Sequence, residues 1–368
     1  MSGEPAGLYV HVPFCLTRCG YCDFNTYAGL DHLKGGYAAA LGREAELWSA
    51  EWSDASFASV FFGGGTPTTL PAATLVGVIE RLRSLFDVAP NAEVTSEANP
   101  DTVDERYLAS IREGGVTRLS MGVQSFDPAV LEALERVHSA ESGRRAFAAA
   151  RSAGFQDVNV DLIYGARGES IRSWRRTLEE AVALGPEHLS CYALTVEPAT
   201  PLGRQVASGL VPAPDPDLQA DMYAFACQLL ATAGYEHYEV SNWAQPGRAC
   251  AHNLGYWQGG PYLGLGAGAH SYRDGLRWWN VRPPAQYMAM VSRGERPIGG
   301  RERLSEEERW MERLLLGLRT ADGVPSDWVE ADQAREFIAA GLAALHNGRL
   351  SLTDSGMFLA NDFVLELV

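Results

Sequence analysis

Residues 12–22, VPFCLTRCGYC, bring Cys15, Cys19 and Cys22 together in a C-x3-C-x2-C pattern. Thiolates this close on one short stretch suit a soft metal, either Zn²⁺ or an iron–sulfur cluster. A structural zinc site asks for four protein ligands, usually as two separated pairs. No second pair follows here. A cubane takes one ligand per iron, so three cysteines leave one iron open, and an open iron is a reactive position. The bland alternative, three unliganded thiols on a loop, would leave them exposed and oxidisable. Six cysteines in 368 residues are too few for a disulfide scaffold. Cys191 and Cys227 lie in apolar patterns and read as small core residues.

Three further stretches could do chemistry. FFGGGTPTTLP (61–71) has three glycines that let a backbone approach a ligand closely, although turns also use glycine freely. TSEANP (95–100) puts Glu97 at the end of an apolar run, where an ionised carboxylate is costly unless paired; a salt bridge is the alternative. HNLGYW (252–257) groups His252, a metal-ligating side-chain type, with the aromatic rings of Tyr256 and Trp257. The alternative for His252 is a satisfied loop histidine. His11 lies beside the cysteines and is expected to pack there, and His270, in GLGAGAHSY, receives no role.

The elements that position these residues follow from periodicity. Six β-rich runs, at 8–14, 58–64, 92–98, 118–126, 157–165 and 188–196, alternate with segments whose apolar residues recur at three and four positions. Nearly continuous apolar strands joined by helical crossovers imply a parallel sheet covered by helices. Six units fall short of the eight of a closed barrel, so the expected fold is α/β, a partial (β/α)6 TIM-like barrel. Chemistry is then expected at the C-terminal ends of the strands, where Cys15, the glycine loop, Glu97 and Gln124 fall, with Asp161 inside the fifth strand.

A helix near 217–233 closes a first unit, 1–233. Residues 234–300 are dense in aromatics and glycine, predicting short strands, tight turns and exposed rings such as Tyr262, Trp278 and Trp279. Residues 301–368 read as a small winged-helix-like tail: helix 305–319, helix 328–345, a short strand at GRLSLT and a last helix.

Composition narrows the partners. A formal charge of −16 with no local basic concentration argues against nucleic acid. No apolar stretch reaches the ~20 residues that span a bilayer, and the N-terminus lacks a secretory signal, so a cytoplasmic protein is expected.

The cysteine motif, with Tyr21 before the third Cys, resembles the signature of the radical S-adenosylmethionine (SAM) superfamily, and YVHVPFCLTRCGYCDFNTY resembles its coproporphyrinogen dehydrogenase-like branch. That resemblance implies a 4Fe-4S cluster on Cys15, Cys19 and Cys22, with SAM on the open iron. It also implies SAM contacts at Tyr21, Gly64, Gly65, Thr66, Pro67, Glu97, Gln124, Arg136 and Asp161, and at Tyr9 and Ala193, for which core packing is the alternative. Arg136 would meet the SAM carboxylate as a bidentate pair. Family members commonly read Leu-Gly-Arg where this chain has Leu134, Glu135, Arg136, a departure at Glu135.

Within the branch, the dehydrogenases carry a fourth cysteine two residues after the third; this chain has Phe24 there. HNLGYW instead matches the HNxxYW motif of the HemW haem chaperones, and the likeness runs through FFGGGTPT, EANP, RLSMGVQSF, DLIYG and LGLRTADGV. It implies haem bound through His252, Asn253, Tyr256 and Trp257 and passed to apo-haemoproteins of the respiratory chain, during transient visits to the membrane surface. A haem-donating protein and a homodimer are compatible with it. The competing reading is a coproporphyrinogen III oxidase that decarboxylates porphyrinogen propionates. Whether the chain turns over a substrate at all stays open at this point.

Overall fold

The computed structural model describes residues 5–360. Twelve strands form one sheet. In chain order they are β1 (Ala6–Val12), β2 (Ser56–Gly64), β3 (Asp87–Ala98), β4 (Arg118–Gln124), β5 (Val158–Tyr164), β6 (His188–Ala193), β7 (Glu236–Glu239), β8 (Asn242–Ala244), β9 (Tyr262–Leu265), β10 (His270–Arg273), β11 (Leu276–Asn280) and β12 (Ile298–Arg303). Their spatial order is β12-β11-β10-β9-β1-β2-β3-β4-β5-β6-β8-β7. Pairings from β9 through β1 to β6 are parallel, and those beyond on both edges are antiparallel. Among the described residues no pairing joins β12 to β7, so the barrel stays open.

The six expected strands form, with shifted ends. β1 begins two residues earlier than the apolar run suggested, and β3 begins at Asp87 because Asp87 and Val88 already pair with Ser56 and Phe57 of β2. Helices lie between them. Ile171–Leu184 starts on a Ser170/Ser173 capping box and stops at Gly185, whose φ of 70° places it in the left-handed region open to glycine. Leu8, Val94, Leu119, Val160 and Leu189 are fully buried in one large core.

The aromatic segment 234–300 builds no layer of its own. β9 to β12 extend one edge of the sheet and β7 and β8 the other, and their buried residues share the main core. Trp278, expected on the surface, is 4% exposed and stacks on Trp48 with ring centroids 5.1 Å apart. Alternation along β11 explains this, since Trp278 and Trp279 must point to opposite faces.

A second, smaller core gathers Leu314, Leu318, Val324, Leu350, Leu352 and Met357. The helix expected over 328–345 is corrected: it covers only Ala331–Ala339, and Ala343–His346 is a strand. Asn347 and Gly348, both at positive φ, turn that strand back onto Arg349–Leu352, the Asn-Gly hairpin chemistry that periodicity alone does not see. This unit meets the main sheet where Val240 N–H donates to Arg319 O at 3.0 Å. Among the described residues no helix is long and apolar enough to cross a membrane.

Candidate functional site

The parallel strands aim their C-terminal ends at one cavity of about 480 Å³. Cys15, Cys19 and Cys22 line it from the loop after β1, all free and partly exposed. Burial raises the Cys15 thiol pKa, while Thr66 Oγ1 lies 3.8 Å from its sulfur. Tyr21, Gly64, Gly65, Thr66, Glu97, Gln124, Arg136, Asp161 and Ala193 line the same cavity. Pro67 is buried in the 3-10 turn behind the glycines. Tyr9 does not reach this cavity; it faces an adjoining one, and its hydroxyl lies 3.0 Å from His11 Nδ1.

Glycine is required at two of these positions. Gly64 has φ of 103°, and a Cβ there would lie 2.2 Å from the His11 ring; at Gly65 a Cβ would lie 2.7 Å from Val12 O. Gly64 N–H donates to Glu97 Oε2 at 3.1 Å. Burial, then the nearby charge of Asp161, pushes the Glu97 carboxyl up to about 8. Asp161 is raised as well, chiefly by burial, although Ser120 Oγ and Asn159 Nδ2 donate to it. A cationic ligand would favour both carboxylates in their ionised form.

Arg136 donates to Gly122 O at 2.9 Å and to Cys19 Sγ at 3.4 Å. Its Nε, and Oε1 of Gln124, are buried with no hydrogen-bond partner among the described residues. Gln124 also sits at φ 67° and Glu135 at φ 52°, unusual backbone for side-chain-bearing residues. Unsatisfied polar atoms and backbone strain gathered around three free thiols mark a ligand site. Tyr192, Thr195 and Glu197 also line the cavity and were missed in the sequence; their position at the end of the sixth strand was the available signal.

HNLGYW forms the helix Ala251–Trp257, whose first N–H groups donate to Glu93. His252 is 4% exposed, and burial lowers its pKa to about 3. Its Nδ1 pairs with Ser59 Oγ and its Nε2 with Tyr256 Oη, each at 2.9 Å, and Phe61 stacks on it at 5.2 Å. Both ring nitrogens are therefore engaged within the protein, and the ring is enclosed. Asn253 Nδ2 donates to Tyr238 Oη and Glu239 Oε1, away from the large cavity. Trp257 is half-buried and lines none of the described cavities, whereas Tyr256 does reach the one beside the thiols.

That second cavity, about 780 Å³, shares Asp23, Phe24, Gly64 and Glu97 with the first. Tyr256, Tyr262, Tyr272 and Trp279 supply aromatic wall, and Arg277, Arg282, Arg309 and Arg313 supply cations. Phe24, 64% exposed, stands at the boundary between the two.

Residues 9–181 match the Radical SAM superfamily and residues 304–359 the HemN C-terminal domain. The chain is 43% identical to "Heme chaperone HemW" of Mycobacterium tuberculosis (strain ATCC 25618 / H37Rv), covering 100% of this chain and 96% of the relative. It is 32% identical to the protein of that name in Bacillus subtilis (strain 168), covering 96% and 97%. It is 35% identical to the mitochondrial "Radical S-adenosyl methionine domain-containing protein 1" of Mus musculus, covering 99% and 87%. Among solved structures it is similar to coproporphyrinogen III oxidase (HemN) from Escherichia coli, with a TM-score of 0.85 at 23% identity, covering 99% of this chain and 90% of that one. This likeness establishes the fold. The superfamily implies a 4Fe-4S cluster and SAM, and the residues fit: three free thiols on one loop, a glycine floor, unpartnered Gln124 and Arg136 atoms and two carboxylates suited to a cation. The chain belongs to the HemW family of the radical SAM superfamily.

Proposed function

We propose that this protein is a haem chaperone, which binds haem and transfers it to apo-haemoproteins of respiratory-chain type. The observation that carries the reading is the pair of adjoining cavities. One is built for a cluster and SAM; the other, at about 780 Å³, has the size, aromatic wall and arginine rim that a flat apolar dianion requires. Relatives at 43% and 32% identity are named haem chaperones. Cys15, Cys19 and Cys22 would hold the cluster, and Tyr21, Gly64, Gly65, Thr66, Pro67, Glu97, Gln124, Arg136, Asp161 and Ala193 would shape the SAM pocket, with Tyr9 bordering it. Cluster and SAM together supply one-electron chemistry when bound.

In this reading His252, through Ser59, and Asn253, through Glu239, anchor the HNLGYW helix, and Tyr256 is the residue of that motif that faces the macrocycle. The protein works in the cytoplasm, touching the membrane surface during delivery, with a haem donor upstream. The experiment is anaerobic reconstitution followed by haem binding and coproporphyrinogen turnover measured side by side. Saturable haem binding without decarboxylation is expected; decarboxylated product would overturn the reading in favour of a coproporphyrinogen III oxidase.

A further inference from the structure

Haem iron needs a ligand with a free lone pair, and most histidines near the cavity cannot give one. His252 is enclosed with both ring nitrogens engaged. His11 lines the cavity, but its Nδ1 pairs with Tyr9 Oη and its Nε2 with Asn25 O, each at 3.0 Å. His270 differs. It is the first residue of β10, exposed to the cavity, and its ring stacks on Trp279 with centroids 5.7 Å apart. Among the described residues no group hydrogen-bonds its ring. The β10–β11 ladder sets His270 opposite Trp279, which fixes both rings on the same wall.

The cations around it are unevenly matched. Arg277 is neutralised by Glu302 and Glu312, at 2.8 and 2.7 Å. Arg282 and Arg313 form no ion pair among the described residues, while Arg309 reaches Glu306 at 3.8 Å and keeps a buried Nε with no hydrogen-bond partner among them. On a wall that also carries Asp23, Glu97 and the paired Glu312, Arg282 and Arg313 are thus the unmatched cations able to meet carboxylates on a ligand.

We propose that His270 is the axial ligand to the iron of a haem seated in the 780 Å³ cavity, with Arg282 and Arg313 meeting its propionates. This rests on the haem reading above and names the contact that reading lacks. Burial, followed by the charges of Arg277 and Arg282, lowers the His270 pKa, so the ring is neutral and able to coordinate at physiological pH. His252 is a positioning residue, holding Tyr256 against the cavity through the Nε2–hydroxyl bond.

The test is a titration of the full chain with haemin, followed by absorption and by electron paramagnetic resonance of the ferric complex. His270→Ala should lose the imidazole-ligated signal and bind haemin at least about tenfold more weakly, and added imidazole should restore the signal. His270 is exposed, so the variant has no core to disturb. Arg282→Glu should weaken haemin roughly fivefold yet leave its dimethyl ester unaffected, since the ester lacks the carboxylates. A His270→Ala complex with the wild-type spectrum overturns the proposal while the haem reading stands, most directly if His252→Ala loses the signal instead. A wild-type chain with no saturable haemin binding overturns both.

Discussion

Glu44 gives the sharpest energetic prediction, because it ties the helix Lys34–Ser49 to the turn that leads into His270. Its carboxyl is fully buried and accepts from Gly266 N–H at 2.7 Å, Asn280 Nδ2 at 2.6 Å and Tyr287 Oη at 2.7 Å. Asn280 Nδ2 keeps a second acceptor, Gly266 O at 2.9 Å, so Glu44→Ala orphans mainly the Gly266 amide and the Tyr287 hydroxyl. At about 1–3 kcal/mol for each buried unsatisfied group, the variant should lose roughly 4 kcal/mol at pH 6. Burial raises the Glu44 pKa to about 7 despite these donors, against an ordinary value of 4.5. A raised carboxyl pKa means the folded state holds the proton longer than the unfolded chain, so this contribution to stability is full below the unfolded pKa and is lost as pH rises through the folded one. Linkage puts that loss at about 1 kcal/mol between pH 6 and pH 8. The penalty of Glu44→Ala should therefore shrink to roughly 3 kcal/mol at pH 8. Urea unfolding of cluster-free protein, followed by tryptophan fluorescence at both pH values, measures it. Other buried carboxyls, including Glu169, also pushed up to about 7, cancel in the difference between the two proteins. A penalty that is absent, or that grows from pH 6 to pH 8, would refute the assignment.

Gly64→Ala should destabilise by roughly 2 kcal/mol and abolish SAM binding, because its φ of 103° and the His11 ring at 2.2 Å leave no room for a methyl; Gly77→Ala, in open space inside the helix Ala72–Leu85, should instead gain about 0.5–1 kcal/mol, and equal unfolding midpoints for the two would contradict this. Arg136→Ala should weaken SAM by at least about tenfold in equilibrium dialysis while iron content stays at the wild-type level, and Arg136→Lys should recover little, since a lysine lacks the bidentate fork. The triple Cys15, Cys19, Cys22→Ala variant should keep its far-ultraviolet dichroism and lose both iron and acid-labile sulfide; retained sulfide would place the cluster elsewhere.

Much of the scaffold was legible because each of β1 to β6 carries a short run of buried apolar residues, such as Leu8 and Val10 in β1 and Val158, Val160 and Leu162 in β5, although Asp87 to Asn91 of β3 are largely exposed. The chemistry at their ends followed, since a C-terminal strand end is where such a sheet gathers side chains. What escaped had non-local causes. β9 joins β1 in parallel across more than two hundred residues of chain, and no local pattern reports that pairing. The hairpin at Asn347 and Gly348 hid inside a helical periodicity. The surroundings of His252 escaped for the same reason, since its partner Ser59 lies on β2 and only the folded chain shows the rings of Tyr9, Phe61 and Tyr256 that close around it. His270 was passed over for the converse reason, since nothing local reveals a ring that, among the described residues, has no hydrogen-bond partner in a cavity wall.

The most direct test is a Mössbauer spectrum of protein reconstituted anaerobically with enriched iron, recorded before and after SAM is added. Three thiolates on a four-iron cluster predict that one iron subsite alone changes its isomer shift and quadrupole splitting when SAM binds. Zinc in place of iron, no inorganic sulfide, or four subsites indifferent to SAM would contradict the account.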